Sequence, residues 1–139
     1  MDIIISIRPD YVFRIASGAK QIEIRTRRPQ LDPGDVMWVY ETLPTGSISL
    51  RAEVIRVLTM DSESAWREHR KAMGVSRREF MSYINGQRVV SLIFLGEPTR
   101  LRAPVHLDVL RRICDGFMPP QFMRIVREPS LLRQLNEAA

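Results

Sequence analysis

The sequence predicts an α+β fold in which short strands curl into a small, mixed or mostly antiparallel β-barrel with flanking helices. Two patterns point there. Apolar periodicity alternates along the chain between two and about 3.6 residues. The second, third and fourth strands are joined by turns rather than helices, so the βαβαβ alternation of a doubly wound sheet is missing. Size agrees: 139 residues, 45% hydrophobic and 27% charged, make a single domain with a core of its own.

The first strand is the β-branched run Ile3 to Ile7, closed by Arg8-Pro9. Pro9 suits the first turn of a helix that carries Tyr11, Val12, Ile15 and Ala16 on one stripe and stops at Gly18. From Gln21 the period becomes two: Ile22 and Ile24 face one way, Glu23, Arg25 and Arg27 the other, until Pro29. Leu31-Asp32-Pro33-Gly34-Asp35 is a turn signal, and Val36 to Tyr40 forms a third strand. Pro44-Thr45-Gly46-Ser47 turns the chain again. A fourth strand follows through Val57, with a change of phase near Ile55 that signals a bulge.

Asp61 caps a helix with Ala65, Trp66, His69 and Met73 on its stripe, ending at Gly74. Ser76-Arg77-Arg78-Glu79 is a capping box for a shorter helix bearing Phe80, Tyr83 and Ile84, closed by Asn85-Gly86. Val89 to Leu95 is the most apolar strand. A helix from Pro104 to Cys114 and a last one from Pro129 to Glu137 flank the loop Met118-Pro119-Pro120-Gln121-Phe122. The whole chain, 1–139, reads as one domain, with 127–139 a C-terminal helical extension whose Leu131, Leu132 and Leu135 cap the barrel in preference to forming a dimer contact.

Several function classes drop out. One cysteine makes neither an internal disulfide nor a Cys-rich zinc site. His69 and His106 have no carboxylate at ligand spacing, so no metal is expected, and the absence of a Gly-rich phosphate loop, GxSxG, HExxH or CxxC leaves no cofactor to expect. Cys114 reads as a small core hydrophobe. No apolar run approaches the roughly 20 residues of a membrane helix, and the start, with Asp2, lacks the basic region of a signal peptide. The expectation is a cytoplasmic protein without a membrane partner; oligomeric state stays open.

The net charge is +5, and apart from Lys20 and Lys71 every basic side chain is arginine. Arginine's planar fork pairs with phosphate and stacks on bases, which is compatible with nucleic acid. The segment richest in candidate chemistry runs from Ser17 to Pro29. There Lys20, Arg25 and Arg27 surround Glu23, an arrangement able to hold a phosphate, polarise a carbonyl or lower the lysine's pKa for proton transfer. The same alternation also fits the solvated outer face of an edge strand, where charges discourage aggregation. Tyr40 and Glu41, at the end of the next strand, add an aromatic ring and a second carboxylate that would face the same cleft.

The segments SIRPDYVFRIASGAKQIEIRTRRP, LDPGDVMWVYET, AMGVSRREFMSYI and MPPQFMRIV together resemble the ASCH domain, a member of the PUA-like superfamily, over residues 3 to about 126. The most specific element is Gly-x-Lys-x-x-x-x-Arg, met by Gly18, Lys20 and Arg25, with Pro119 to Gln121 in support. The resemblance implies a β-barrel with a cleft near Lys20 that binds RNA or nucleotides, some members being hydrolases. One branch of the family hydrolyses N4-acetylcytidine with a lysine, a threonine and a glutamate. Lys20 matches the lysine and Arg25 an arginine that follows it. Glu23 stands at the threonine, and Lys71 to Gly74 offers no acid where the glutamate falls.

Two functions follow as expectations. The first is a module for RNA or a modified nucleotide. In it Lys20, Glu23, Arg25 and Arg27 line the site, Tyr40 or Phe122 stacks on a base, and Gln121 adds a polar contact. The second is a hydrolase of RNA phosphodiesters or N4-acylated cytidine. Lys20 is then base or nucleophile, Glu23 or Glu41 orients it, and Arg25 stabilises developing charge.

Overall fold

A computed structural model describes residues 1–139 as seven strands and five helices. In chain order these are β1 (Asp2–Ile7), α1 (Pro9–Ser17), β2 (Ile22–Arg25), β3 (Val36–Glu41) and β4 (Ser47–Asp61). Then come α2 (Ser62–Met73), α3 (Arg77–Ile84), β5 (Val89–Leu95), β6 (Thr99–His106), α4 (Leu107–Ile113), β7 (Met123–Ile125) and α5 (Pro129–Ala138).

The strands form one sheet in the order β2-β5-β4-β3-β1-β7, with β6 also on β4. Only β1 and β3 run parallel; α1 and β2 lie between them in sequence, and every other pairing is antiparallel. β4 is the hinge of the architecture. Its first half pairs with β3 and β6 and its second half with β5, and the register slips between Val54 and Arg56, leaving Ile55 exposed. This is the bulge expected near Ile55, and it lets one strand serve two differently oriented halves of the sheet.

The expected closed barrel is not formed. The path ends at β2 and β7, four and three residues long, and no ladder joins them. The sheet is curled but open.

Three apolar clusters fill the layers. Ile4, Trp38, Tyr40, Ile48 and Phe117 pack beneath α4 and α5 with Leu110, Leu131 and Leu135. Ile3, Ile5, Ile7, Met37 and Val39 pack with Val12 and Ile15 of α1. Ile22, Ile24, Val90 and Leu92 pack beneath α2 and α3 with Ala65, Met73, Phe80 and Ile84. Because β1 and β3 are covered on both faces, their sequences read as continuous apolar runs.

The caps expected at Asp61 and Ser76 are present: the Asp61 carboxylate accepts from the Ser64 N–H, and Ser76 and Glu79 cap reciprocally. The helix expected from Pro104 is shorter. Pro104 lies in β6, at the gap in the β4–β6 register where a strand residue needs no ladder N–H, and α4 begins only at Leu107. α5 is anchored by Leu131 and Leu135 and by Arg102, which donates to the carbonyls of Glu137 and Ala139. No helix is long and apolar enough to cross a membrane.

Candidate functional site

Gly18 ends α1 in the left-handed conformation and turns the chain under the C-terminal end of α2. The N–H of Lys20 bonds to the Arg14 carbonyl, and that of Gln21 to the Ala72 carbonyl at 2.7 Å. Gly74 makes this approach feasible. It caps α2 with φ +63°, and a Cβ there would lie 2.5 Å from the Ala19 carbonyl oxygen. The Lys20 side chain therefore enters the protein and is only 2% exposed. Its ammonium donates to the Met73 carbonyl at 3.2 Å and stands 3.6 Å from Glu23 Oε1 and 5.4 Å from the centre of the Tyr11 ring. Burial pulls its pKa below the ordinary lysine value, and the Glu23 carboxylate opposes that shift.

Glu23 bridges two cations. Its Oε2 accepts from Arg25 Nε at 3.0 Å and Nη2 at 2.7 Å, and the same Nη2 donates to the Ser6 carbonyl. Arg25 is thus bound to β1 while Glu23 faces Lys20. Since Lys20 and Glu23 are both buried, the polar side of β2 is the wall of an interior site and not a solvated edge.

That wall borders a cavity of about 540 Å³ between β1, α1, β2 and α3. Ser6, Tyr11, Lys20, Glu23 and Arg25 line one side, and Arg78, Glu79, Phe80 and Tyr83 the other. Glu79 accepts from Ser76 N and Arg14 Nη1 through one oxygen and from the Tyr11 hydroxyl through the other. The Arg14 hydrogen bond, followed by the Ser76 N–H, holds its pKa down at about 2. Tyr83 is raised, first by burial of its hydroxyl and less by the Glu23 charge, so the phenol stays protonated. Ser6 Oγ is buried without a partner.

Of the residues expected from sequence, Lys20, Glu23 and Arg25 come together. Arg27 does not join them: β2 ends at Arg25, and the exposed Arg27 guanidinium stacks 4.8 Å from the Phe122 ring outside the cavity. Tyr40 is 2% exposed among Trp38, Ile48 and Phe117, so its ring is core and not a platform for a base. Glu41 accepts from Ser49 Oγ at 2.7 Å, lies 3.9 Å from Arg100 and is absent from the cavity lining. Gln121 is exposed and Phe122 half-buried, both away from Lys20's cavity. Cys114 belongs to the core, and His69 packs edge-on against Phe94.

The sequence reading missed Tyr11, Glu79 and Tyr83. Tyr11 and Tyr83 passed as members of apolar helix stripes, though a tyrosine in such a stripe brings a hydroxyl that needs a partner. Glu79 was explained by its capping role alone, yet one carboxylate oxygen suffices for that and the second is left for Tyr11.

Residues 5–94 match the model of the ASCH domain, and the chain belongs to that family. It is similar to an ASCH domain-containing ribonuclease from Zymomonas mobilis, with 27% identity over 125 residues, 90% of this chain and 84% of that one. A crystal structure of ASCH from Zymomonas mobilis superimposes with a TM-score of 0.92 at 24% identity, over 99% of this chain and 96% of the other. A protein from Rhodopseudomonas palustris shares the fold at a TM-score of 0.57 and 15% identity, over 99% and 92% of the two chains.

Proposed function

We propose that this protein acts on RNA, taking one nucleotide into the cavity beside Lys20 and cleaving the adjoining phosphodiester. The observation that carries the reading is Lys20 itself: an amine almost fully buried, with its pKa lowered, at the wall of a cavity of nucleotide size. The similarity to a ribonuclease over 90% of the chain supports RNA as the substrate.

In this reading the neutral Lys20 amine takes the proton of a ribose 2′-hydroxyl. The 2′-oxygen bonds to phosphorus, the bond from phosphorus to the 5′-oxygen breaks, and Tyr83 supplies the proton to the leaving oxygen. The products are a 2′,3′-cyclic phosphate and a 5′-hydroxyl. Arg25, fixed by Glu23 and Ser6, and Arg78 at the cavity mouth offer positive charge to the phosphoryl oxygens.

The test incubates short single-stranded RNA with wild type and Lys20→Met, following cleavage on a gel and binding by fluorescence anisotropy. Cleavage to cyclic phosphate ends, lost in Lys20→Met with RNA affinity changed only a few-fold, is the expected result. RNA bound and left intact by wild type would overturn the catalytic half and leave a binding module; no binding would overturn both.

A further inference from the structure

We propose that the groove between α2 and α3 is a second RNA-binding site, which holds the phosphate backbone of the strand whose nucleotide occupies the Lys20 cavity. This rests on the reading of that cavity as an RNA site. The groove has a volume of about 760 Å³, larger than the cavity, and is lined by Arg67, Arg70, Arg77 and Arg88 beside Trp66, which packs on the buried Phe80.

Three observations carry the assignment. None of the four arginines forms an ion pair with a carboxylate, whereas Arg8, Arg14, Arg25, Arg100 and Arg124 do. The only side-chain bonds that two of them make, Arg67 to Ser64 Oγ and Arg70 to the Arg67 carbonyl, stay within α2 and leave most of each fork free. The groove holds two carboxylates, Asp61 and Glu63, against four guanidinium groups, so even with Asp61 drawn electrostatically to Arg67 the surplus of charge is positive.

The groove and the cavity are neighbours across α3. Phe80 lines both, so α3 is their common wall. At the start of α3, Arg77 borders the groove and Arg78 the cavity. Cations in the first turn of a helix are opposed by its dipole. A polyanion that crosses the start of α3 from one cavity to the other offsets that opposition and meets a guanidinium on each side. Planar guanidinium groups beside the half-buried Trp66 ring suit a flexible single strand better than a rigid duplex.

The experiment titrates a dinucleotide and a single-stranded RNA of about 12 nucleotides into three proteins over a range of salt. These are wild type, the fourfold variant R67Q/R70Q/R77Q/R88Q and the matching fourfold Arg→Lys variant, and both RNAs carry 2′-O-methyl groups, which remove the attacking hydroxyl and keep them intact. Each phosphate contact on a single strand contributes about 0.7 to the log–log salt slope, so the Gln variant is expected to lose about 2 to 3 units on the long RNA. Its dinucleotide affinity should stay at the wild-type value, and the Lys variant should keep most of the slope. An unchanged slope in the Gln variant would overturn the groove while leaving the cavity reading intact. Equal losses on dinucleotide and long RNA, in both variants, would overturn it as well, since the arginines would then act through the fold. Wild type that binds the dinucleotide but gains nothing from length overturns the groove alone; wild type that binds neither RNA overturns groove and cavity together.

Discussion

Gly74 lies so close to Lys20 that a methyl group on the glycine would stand 2.6 Å from the lysine Cα and 2.7 Å from its Cβ. The two are 54 positions apart in sequence, and their contact sets the depth to which the Lys20 side chain is buried. It also aligns the Met73 carbonyl with the Lys20 ammonium.

Replacing that glycine tests the contact. Gly74→Ala must shift backbone atoms, because the nearest obstacles are a carbonyl and a Cα, and it adds strain at φ +63°. We expect a loss of about 2 kcal/mol in unfolding free energy by urea titration. RNA cleavage should fall further than the remaining folded fraction accounts for, because Lys20 is displaced.

In the proposed mechanism the pH dependence of cleavage follows from Lys20 acting as base. Activity should rise as the ammonium loses its proton and level off above its pKa, which burial places below that of an ordinary lysine. Glu23 raises that pKa, so Glu23→Gln should move the rising limb to lower pH. A pH–rate profile of the two proteins measures the displacement; a shift to higher pH would contradict the assignment.

The same substitution bears on stability. Glu23→Gln leaves Arg25 and the buried Lys20 without their shared carboxylate. Removing one member of a buried ion cluster costs about 3 kcal/mol, to be read from the urea midpoint at neutral pH. Part of that cost should vanish at high pH, where Lys20 is neutral.

Glu79 gives an acid-sensitive contribution. Its pKa is about 2 in the folded protein against 4.5 ordinarily, so the folded state holds the charged form more tightly than the unfolded chain does. The stabilisation is complete above the unfolded value and is lost as pH falls from about 5 towards 2. Solvent screens the Arg14 pair, and the loss amounts to about 1 kcal/mol. Thermal unfolding of wild type and Glu79→Gln across that window should show Tm curves that converge in acid.

Local chemistry was legible in the sequence where a single element carries it. Gly18 as a helix stop, the capping box at Ser76 and the bulge at Ile55 depend on neighbours a few residues away, and all three are present. Lys20, Glu23 and Arg25 were legible as a cluster because they share one turn and one strand. Their burial was not, since it comes from α3 and from Gly74, distant in sequence. Tyr40 misled because β3 is covered on both faces, so alternation along it does not distinguish a core ring from a cleft ring. β6 was hidden by Pro104, which reads as a helix start unless the gap in its ladder is known. β7 has only three residues, too few to show any period.

The length of β4 has a consequence for how the molecule comes apart. This one strand of 15 residues bonds to β3, β5 and β6, so it stitches the half of the sheet that carries β2 to the half that carries β1. Neither half retains its ladder if β4 leaves. Amide protons of β5 beneath α2 and those of β3 beside β1 should therefore exchange with solvent through the same rare opening, at one shared rate. A wound at the far edge, at β6 or beneath α5, would be felt at Lys20 as a faster clock and not as an altered pocket.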